Sequence, residues 1–261
     1  MRIDLNSDLG ESFGPWPMGD DAALMASISS ANVACGFHAG DPGAMRATVA
    51  LAKANGVAVG AHPGFPDLVG FGRREMQATP QEVEDLVVYQ VAALAGIAAA
   101  QGVRLQHVKA HGALYNMACR DRALAHAIAR AVAAIDRNLI LFGLPNSELI
   151  KAGQQAGLPV AAEVFADRAY EADGSLASRQ RAGSVIHDQA AVVARAIKMV
   201  QGQRVVALDG SAISLEADTI CLHGDTPGAV QLARAVRAGL EGAGIRVLNL
   251  DGGRTVERSR K

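Results

Sequence analysis

The sequence has few aromatic residues, no excess of either charge and no long hydrophobic run. Aromatic residues make up 4% of the 261 positions, and 25 Lys and Arg residues stand against 26 Asp and Glu residues. Because no basic stripe with interleaved aromatic side chains occurs, we expect no nucleic-acid binding. No stretch approaches the roughly 18 uninterrupted apolar residues of a membrane span, so we expect no membrane segment.

Cysteine is scarce as well. The three cysteines, Cys35, Cys119 and Cys221, form no CxxC pair, and their odd number argues against a disulfide framework. The amino-terminal residues MRIDLNSD also lack the apolar region of a secretory signal peptide. These absences favour a soluble cytoplasmic protein.

The common short motifs of nucleotide-binding proteins and hydrolases are missing too. The sequence contains no GxxxxGK[ST] phosphate loop, no GxGxxG fingerprint, no GxSxG nucleophile elbow and no HExxH helix. Scattered Asp and His residues remain available for a metal site.

Apolar, alanine-rich sequence is abundant, and hydrophobic residues make up 50% of the chain. Short β-branched runs alternate with helical stretches from end to end, which is typical of a parallel sheet. About eight such repeats predict one α/β domain over residues 1–261, an irregular TIM-like (β/α) barrel. An open doubly wound sheet is the alternative.

The predicted elements follow this alternation. We predict strands near residue 3 and at 31–35, 57–61, 105–110, 139–143, 159–164, 204–208, 219–224 and 245–250. We predict helices at 42–55, 80–102, 121–136, 145–156, 188–201 and 227–243. Asp41 and Thr79, each followed by proline, are typical helix N-caps, so Asp41 is expected to be structural.

Polar side chains follow most of the predicted strands. In parallel α/β folds the carboxyl ends of the strands meet on one face, where reactive groups gather. The residues at such positions are Asn6, Asp8, Glu11, Cys35, His38, Asp41, His62, Asp67, Arg73, Arg74, Lys109, His111, Tyr115, Asn116, Glu163, Asp167, Arg168, His223, Asp225 and Thr226. His107 within a strand and His126 within a helix are expected to be structural, and Asp225-Thr226 also suits a helix start.

The loop AHPGFPDLVGFGRR at 61–74 is unusually long for a strand-to-helix connection, since the median is about 4–6 residues. We interpret it as one wall of a site, with His62 at the strand end and Arg73 and Arg74 available for a carboxylate or phosphate. Lys109 ends an apolar strand, and burying it is costly unless it faces an anion or carboxylate.

Several long segments resemble the LamB/YcsF family of ATP-dependent 5-oxoprolinase components, over the chain from Ile3 to about Leu250. The segments are DLNSDLGESFG (4–14), ANVACGFHAGDP (31–42), GAHPGFPDLVGFGRR (60–74), VKAHGALYN (108–116), EVFADRAY (163–170), DGSLASR (173–179) and ICLHGDTPGAV (220–230). The family usually has proline where this chain has Ala110, which removes no chemical group. Arg179 lies in a loop that also departs from the family pattern.

The resemblance implies an irregular (β/α) barrel that is distantly similar to polysaccharide deacetylases. It implies a cytoplasmic enzyme component that opens the lactam of 5-oxo-L-proline to L-glutamate while ATP becomes ADP and phosphate. Two further subunits, B and C, would be its partners, and Mg²⁺ would accompany ATP.

Such a reaction needs cations for a phosphoryl group and the substrate carboxylate, and a base for water. The expected catalytic residues are Asp8, Lys109, His111 and Glu163. The expected substrate-binding residues are Asn6, His38, His62, Arg73, Arg74, Arg168, His223 and Asp225. Asp8, His38 and His62 are also a candidate site for a resident divalent metal.

Two other functions fit the same residues. A stand-alone metal-dependent amidase or polysaccharide deacetylase-like hydrolase would be inhibited by chelators and indifferent to ATP. A non-catalytic substrate-binding subunit would bind 5-oxoproline but tolerate loss of Lys109.

Overall fold

The computed structural model describes residues 1–178, 181–222 and 228–250. Its strands are β1 (Arg2–Leu9), β2 (Ser30–Ala34), β3 (Ala58–His62), β4 (Leu105–Val108), β5 (Ile140–Gly143), β6 (Val160–Phe165), β7 (Arg204–Val206), β8 (Ala212–Ser214), β9 (Thr219–Leu222) and β10 (Arg246–Val247). Its helices are α1 (Asp21–Met25), α2 (Pro42–Asn55), α3 (Pro80–Ala99), α4 (Gly112–Ala118), α5 (Arg122–Ile135), α6 (Glu148–Gln155), α7 (Gln189–Gly202) and α8 (Ala229–Gly242).

Seven parallel strands close into a barrel. The hydrogen-bonded order is β1-β2-β3-β4-β5-β6-β9, and β9 pairs back onto β1. The strand β10 pairs with the first two residues of β1, below the point where β9 joins. The prediction of a closed barrel is therefore confirmed, and the alternative of an open doubly wound sheet is wrong.

One predicted barrel strand lies elsewhere. The run at 204–208 does form a strand, β7, but it pairs antiparallel with β8 in a separate two-stranded sheet. Its residues alternate exposed, buried and exposed, whereas those of β2, β5 and β9 are all buried. Strands buried on both faces belong in a helix-covered parallel sheet, and half-exposed ones suit a hairpin. The described residues thus give seven barrel strands, not eight.

The helices begin where the capping residues predict. Asp41 accepts hydrogen bonds from the backbone N–H groups of Gly43 and Ala44, and Thr79 forms a capping box with Glu82. The short helices α1 and α4 were not predicted. No helix within 1–178, 181–222 or 228–250 combines the length and apolar character needed to cross a membrane.

Two layers of different chemistry meet at the barrel wall. Helix α3 buries Val83, Val87, Val91 and Leu94 at helical spacing against the outside of the barrel. On the inside, the alternating residues Asp4, Asn6 and Asp8 of β1 are buried polar groups. The inside of the barrel is therefore polar, whereas the contacts between α3 and the outside of the barrel are apolar.

Candidate active site

The first feature of the interior is the lysine cluster, which we define as Asn6, Asp8, Lys109 and Glu163. Lys109 directly follows β4 and is 3% exposed. Its Nζ lies 2.9 Å from Asp8 Oδ1, 2.9 Å from Glu163 Oε1 and 3.3 Å from Asn6 Oδ1. Since β4 and β1 are not neighbours in the sheet, the contact with Asp8 crosses the interior of the barrel.

The two carboxylates keep Lys109 charged. Burial alone would lower the pKa of Lys109, but the neighbouring carboxylates of Asp8 and Glu163 raise it well above its usual range. Lys109 Nζ also lies 2.9 Å from Cys221 Sγ. Burial raises the pKa of the Cys221 thiol well above its usual range, so the sulfur is a neutral partner.

Amide and hydroxyl groups orient the carboxylates of the lysine cluster. Asn32 donates from Nδ2 to Asp8 Oδ1 at 2.8 Å and to Asn6 Oδ1 at 2.7 Å. Asn6 in turn donates to Glu163 Oε1 at 3.1 Å and to Thr219 Oγ1 at 2.7 Å. These hydrogen bonds fix the carboxylates in position around the ammonium group.

A second group, the histidine cluster, lies beside the first and consists of Glu11, His38, His62 and His111. His62 ends β3, and the other three follow β1, β2 and β4; one ligand atom of each residue lies within 4.8 Å of all the others. All four side chains are buried. Burial is the main reason that the pKa values of His38 and His111 lie well below their usual range, and repulsion between the rings adds to it.

Asp8 joins the two clusters. Its Oδ1 faces Lys109, and its Oδ2 lies 3.4 Å from His62 Nε2. The two clusters are therefore parts of one continuous buried site. One carboxylate sets the distance between the ammonium group and the imidazole rings.

The glycine-rich loop after β3 covers the histidine cluster, as its interpretation as a site wall predicted. A Cβ at Gly64 would lie 2.8 Å from His38 Nδ1, and a Cβ at Gly72 would lie 2.7 Å from His38 Cβ. Only glycine permits this approach of the backbone to the ring. Gln90 of α3 holds the loop by exchanging two hydrogen bonds of 2.9 Å with the backbone of Gly64.

A cavity of about 590 Å³ opens above both clusters. Its lining includes Asp8, His62, Lys109, His111, Arg73 and Arg168. The segment from Glu171 to Ser178 contributes one side of the cavity and Tyr115, Asn116 and Arg120 another. A cavity of this size accommodates a small polar metabolite together with an activating group.

The structure brings together most of the residues singled out from the sequence. Asn6, Asp8, His38, His62, Lys109, His111 and Glu163 belong to the two clusters, and Arg73 and Arg168 line the cavity. Arg74 is outside the lining, because its exposed guanidinium pairs with Asp67. His223, Asp225 and Arg179 lie outside the described residues.

The sequence indicated no role in the site for two residues that contact it, Asn32 and Cys221. Asn32 lies in the middle of β2, and its buried amide reaches Asp8. Cys221 lies within β9 and contacts Lys109. The only signal for Asn32 is a polar residue inside the otherwise apolar run ANVA.

The sequence of this chain is similar to one protein family and to curated proteins of one name. A family model described as the LamB/YcsF family matches residues 3–254. A curated relative from Rhodopseudomonas palustris (strain BisB18), named as the A subunit of 5-oxoprolinase, is 58% identical over 252 residues, covering 96% of this chain and 99% of the relative. A relative of the same name from Tolumonas auensis is 58% identical over 246 residues, covering 94% and 98%.

A solved structure, described as the lactam utilization protein from Thermus thermophilus, superposes with a TM-score of 0.91 at 51% sequence identity. The alignment covers 96% of this chain and 100% of that chain. The overall fold is therefore shared with an experimentally determined structure.

Proposed function

The chain belongs to the LamB/YcsF family, and from this premise we propose that it is the A subunit of a 5-oxoprolinase. This enzyme is a cyclic amide hydrolase that opens the lactam of 5-oxo-L-proline to give L-glutamate. The observation that carries the proposal is the charged Lys109 between two carboxylates at the floor of a cavity, in a chain so similar to proteins of that name.

The chemistry explains why ATP is needed. An unstrained lactam is a poor electrophile, and its nitrogen is a poor leaving group. Phosphorylation of the amide oxygen by ATP, with accompanying Mg²⁺, would give an activated species that water can attack. We propose that subunits B and C complete this activation, since the sequence of this chain has no phosphate loop.

Within the cavity, Asp8 is the proposed base for the attacking water. It lines the cavity, whereas Glu163 is fully buried behind Lys109, which suits Glu163 to positioning the lysine. Lys109 would stabilise negative charge on the transferred phosphoryl group while the C–N bond of the ring breaks. Arg73 and Arg168 at the cavity wall are the proposed partners of the substrate carboxylate, with His62 and His111 beside the reacting carbon.

The test is glutamate release from 5-oxo-L-proline, measured with and without ATP, for this chain alone and mixed with subunits B and C. We expect release only in the complete mixture with ATP. Absence of release in a complete mixture of folded subunits would refute the proposal.

The histidine cluster supports a second candidate, a metal-dependent amidase that acts alone. Hydrolysis of amides or acetylated sugars by the isolated chain without ATP, abolished by a chelator, would favour it. The same assays therefore decide between the two functions.

The cytoplasmic location proposed for the enzyme agrees with Cys35, Cys119 and Cys221 being free thiols.

A further inference from the structure

We propose that Glu11, His38, His62 and His111 bind one divalent transition-metal ion of the zinc type. This ion is distinct from the Mg²⁺ that accompanies ATP, because imidazole nitrogens select zinc-like ions and Mg²⁺ prefers oxygen ligands. The set also differs from the trio of Asp8, His38 and His62 expected from the sequence. Glu11 and His111 replace Asp8 as ligands.

The first argument comes from the tautomers of two rings. His62 Nδ1 lies 2.7 Å from the carbonyl oxygen of Lys109, and His111 Nε2 lies 2.8 Å from that of Phe71. A carbonyl oxygen only accepts hydrogen bonds, so both of these nitrogens carry the hydrogen. In the neutral rings, His62 Nε2 and His111 Nδ1 therefore present lone pairs.

Those two lone pairs face each other. His62 Nε2 and His111 Nδ1 are 3.0 Å apart. Two acceptors at this distance repel unless a cation or a shared proton lies between them. Backbone carbonyls that hold the outer nitrogens of metal-binding histidines are the usual means of aiming the inner nitrogens at an ion.

The other two side chains complete the set. His38 Nε2 lies 3.5 Å from Glu11 Oε1, and His111 Nδ1 lies 3.9 Å from the same oxygen. Metal–ligand bonds of about 2.0–2.1 Å in tetrahedral geometry place ligand atoms roughly 3.4 Å apart. The separations of 3.0–3.9 Å bracket that value, and all four ligand atoms lie within 4.8 Å of one another. The His38 and His111 rings are stacked in parallel with centroids 3.7 Å apart, so ion binding requires one of these rings to rotate until both ring planes contain the ion.

His38 supplies an independent observation. It is 1% exposed, and neither of its ring nitrogens has a hydrogen-bond partner among the described residues. A buried imidazole without a partner is costly. Coordination by His38 Nε2 removes part of that cost.

The surroundings suit a cation that serves the cavity. Asp8 Oδ2, 3.4 Å from His62 Nε2, adds a second carboxylate beside Glu11. His62 and His111 line the cavity, so an ion held by them would be accessible from it. A role for this ion in ring opening rests on the proposed function, but binding itself does not.

The test uses the full-length isolated chain after treatment with a chelator and dialysis. Zn²⁺ is titrated by calorimetry, and the bound metal is counted by elemental analysis after gel filtration. Co²⁺ is then substituted, because its visible absorption reports four-coordinate geometry without any assay of activity. We expect one equivalent per chain and the absorption bands of a four-coordinate site.

The variants are His38→Ala, His111→Ala and the conservative Glu11→Gln, with His126→Ala, at a half-buried position of α5 outside both clusters, as the matched control. We expect affinity to fall by more than about 100-fold in the first three, since loss even of an outer partner typically costs about 10–100-fold. His126→Ala should bind like the native chain. Circular dichroism and gel filtration establish that each variant is folded.

Absence of one stoichiometric Zn²⁺ in the native chain, or native affinity in folded Glu11→Gln and His38→Ala, would overturn the proposal and favour a shared proton between the rings. This measurement uses neither ATP nor partner subunits. Failure to bind zinc therefore leaves the ring-opening proposal intact. Zinc binding without glutamate release in the complete mixture would overturn only the proposed function.

Discussion

The lysine cluster and the histidine cluster are neighbours in the same barrel but differ in how their charges are compensated. In the lysine cluster the cation is part of the chain, because Lys109 lies within 2.9 Å of the carboxylates of Asp8 and Glu163. The histidine cluster has three imidazoles and a carboxylate directed at one another, and none of its four members is a permanent cation. Folding alone can complete the first cluster, whereas we propose that a metal ion from solution completes the second.

The largest expected effect is removal of the internal cation. Lys109→Met leaves Asp8 and Glu163 buried without their charge partner, so we expect the free energy of unfolding to fall by about 3–5 kcal/mol. Denaturant unfolding measures this change. Lys151→Met, at an exposed ion pair with Glu148, is the matched control and should change stability by less than about 0.5 kcal/mol.

The reason for the lysine effect can be checked within the same cluster. Adding Asp8→Asn to Lys109→Met removes one of the stranded charges and should restore part of the lost stability. A double variant that is less stable than Lys109→Met would show that the lysine does not act by compensating buried charge.

A slightly smaller effect concerns Asp4, which lies further along β1 from the cavity than Asp8 and whose carboxylate accepts hydrogen bonds from three hydroxyl groups. Ser29, Ser30 and Thr219 donate hydrogen bonds to its carboxylate, yet burial raises the pKa of Asp4 from 3.8 to about 6. The folded state therefore holds this proton more tightly than the unfolded state. Stability from this group is greatest below about pH 4 and is lost as pH rises through about 6.

The measurement for Asp4 is the difference in unfolding free energy between the native chain and Asp4→Asn across that range. We expect the native chain to lose about 3 kcal/mol relative to the variant between pH 3 and pH 7, since the pKa rises from 3.8 to about 6 and one pKa unit corresponds to about 1.36 kcal/mol. A pH-independent difference would contradict the assignment of a raised pKa to Asp4.

Next in size is the effect of an added ion on the histidine cluster. At a free Zn²⁺ concentration about 100 times the dissociation constant, native-state binding adds about 2.7 kcal/mol to stability. Thermal unfolding should therefore shift upward with Zn²⁺ in the native chain and in Lys151→Met. His38→Ala should show no shift, and an equal shift there would place the ion elsewhere.

The smallest expected loss of stability comes from substituting Gly60 on β3, which packs closely against His107. A Cβ at this position would collide with the ring of His107, which lies 2.7 Å from Asn32 Oδ1. We expect Gly60→Ala to cost about 1–3 kcal/mol in denaturant unfolding. Gly96→Ala on the exposed face of α3, where a Cβ meets nothing within 4 Å, should instead stabilise by about 0.5–1 kcal/mol.

Most of the fold follows from local sequence signals. Alternating strands and helices predicted the closed barrel, and the Asp41-Pro42 and Thr79-Pro80 pairs predicted the starts of α2 and α3. The run at 204–208 shows the limit of such signals. Its composition predicts a strand, but the choice of partner strand depends on which faces become buried.

The site was predicted less completely, for a geometric reason. The strand-end rule singled out His38, His62, Lys109 and His111, which do meet in the structure. It could not pair atoms, so the trio of Asp8, His38 and His62 expected for a metal stays a prediction, beside the cluster of Glu11, His38, His62 and His111 that the structure brings together. Nor could it distinguish Arg73, which lines the cavity, from the adjacent Arg74, which pairs with Asp67 outside it.

We propose that the lactam is opened in the cavity above the two clusters, with Asp8 acting on the water. The most direct test is the kcat for ATP-dependent glutamate release in the complete mixture with subunits B and C. It is measured for Asp8→Asn and for the control Asp85→Asn, on the exposed face of α3. We predict that folded Asp8→Asn loses at least about 100-fold in kcat while Asp85→Asn keeps the native value. A native kcat in Asp8→Asn would show that Asp8 does not act on the water.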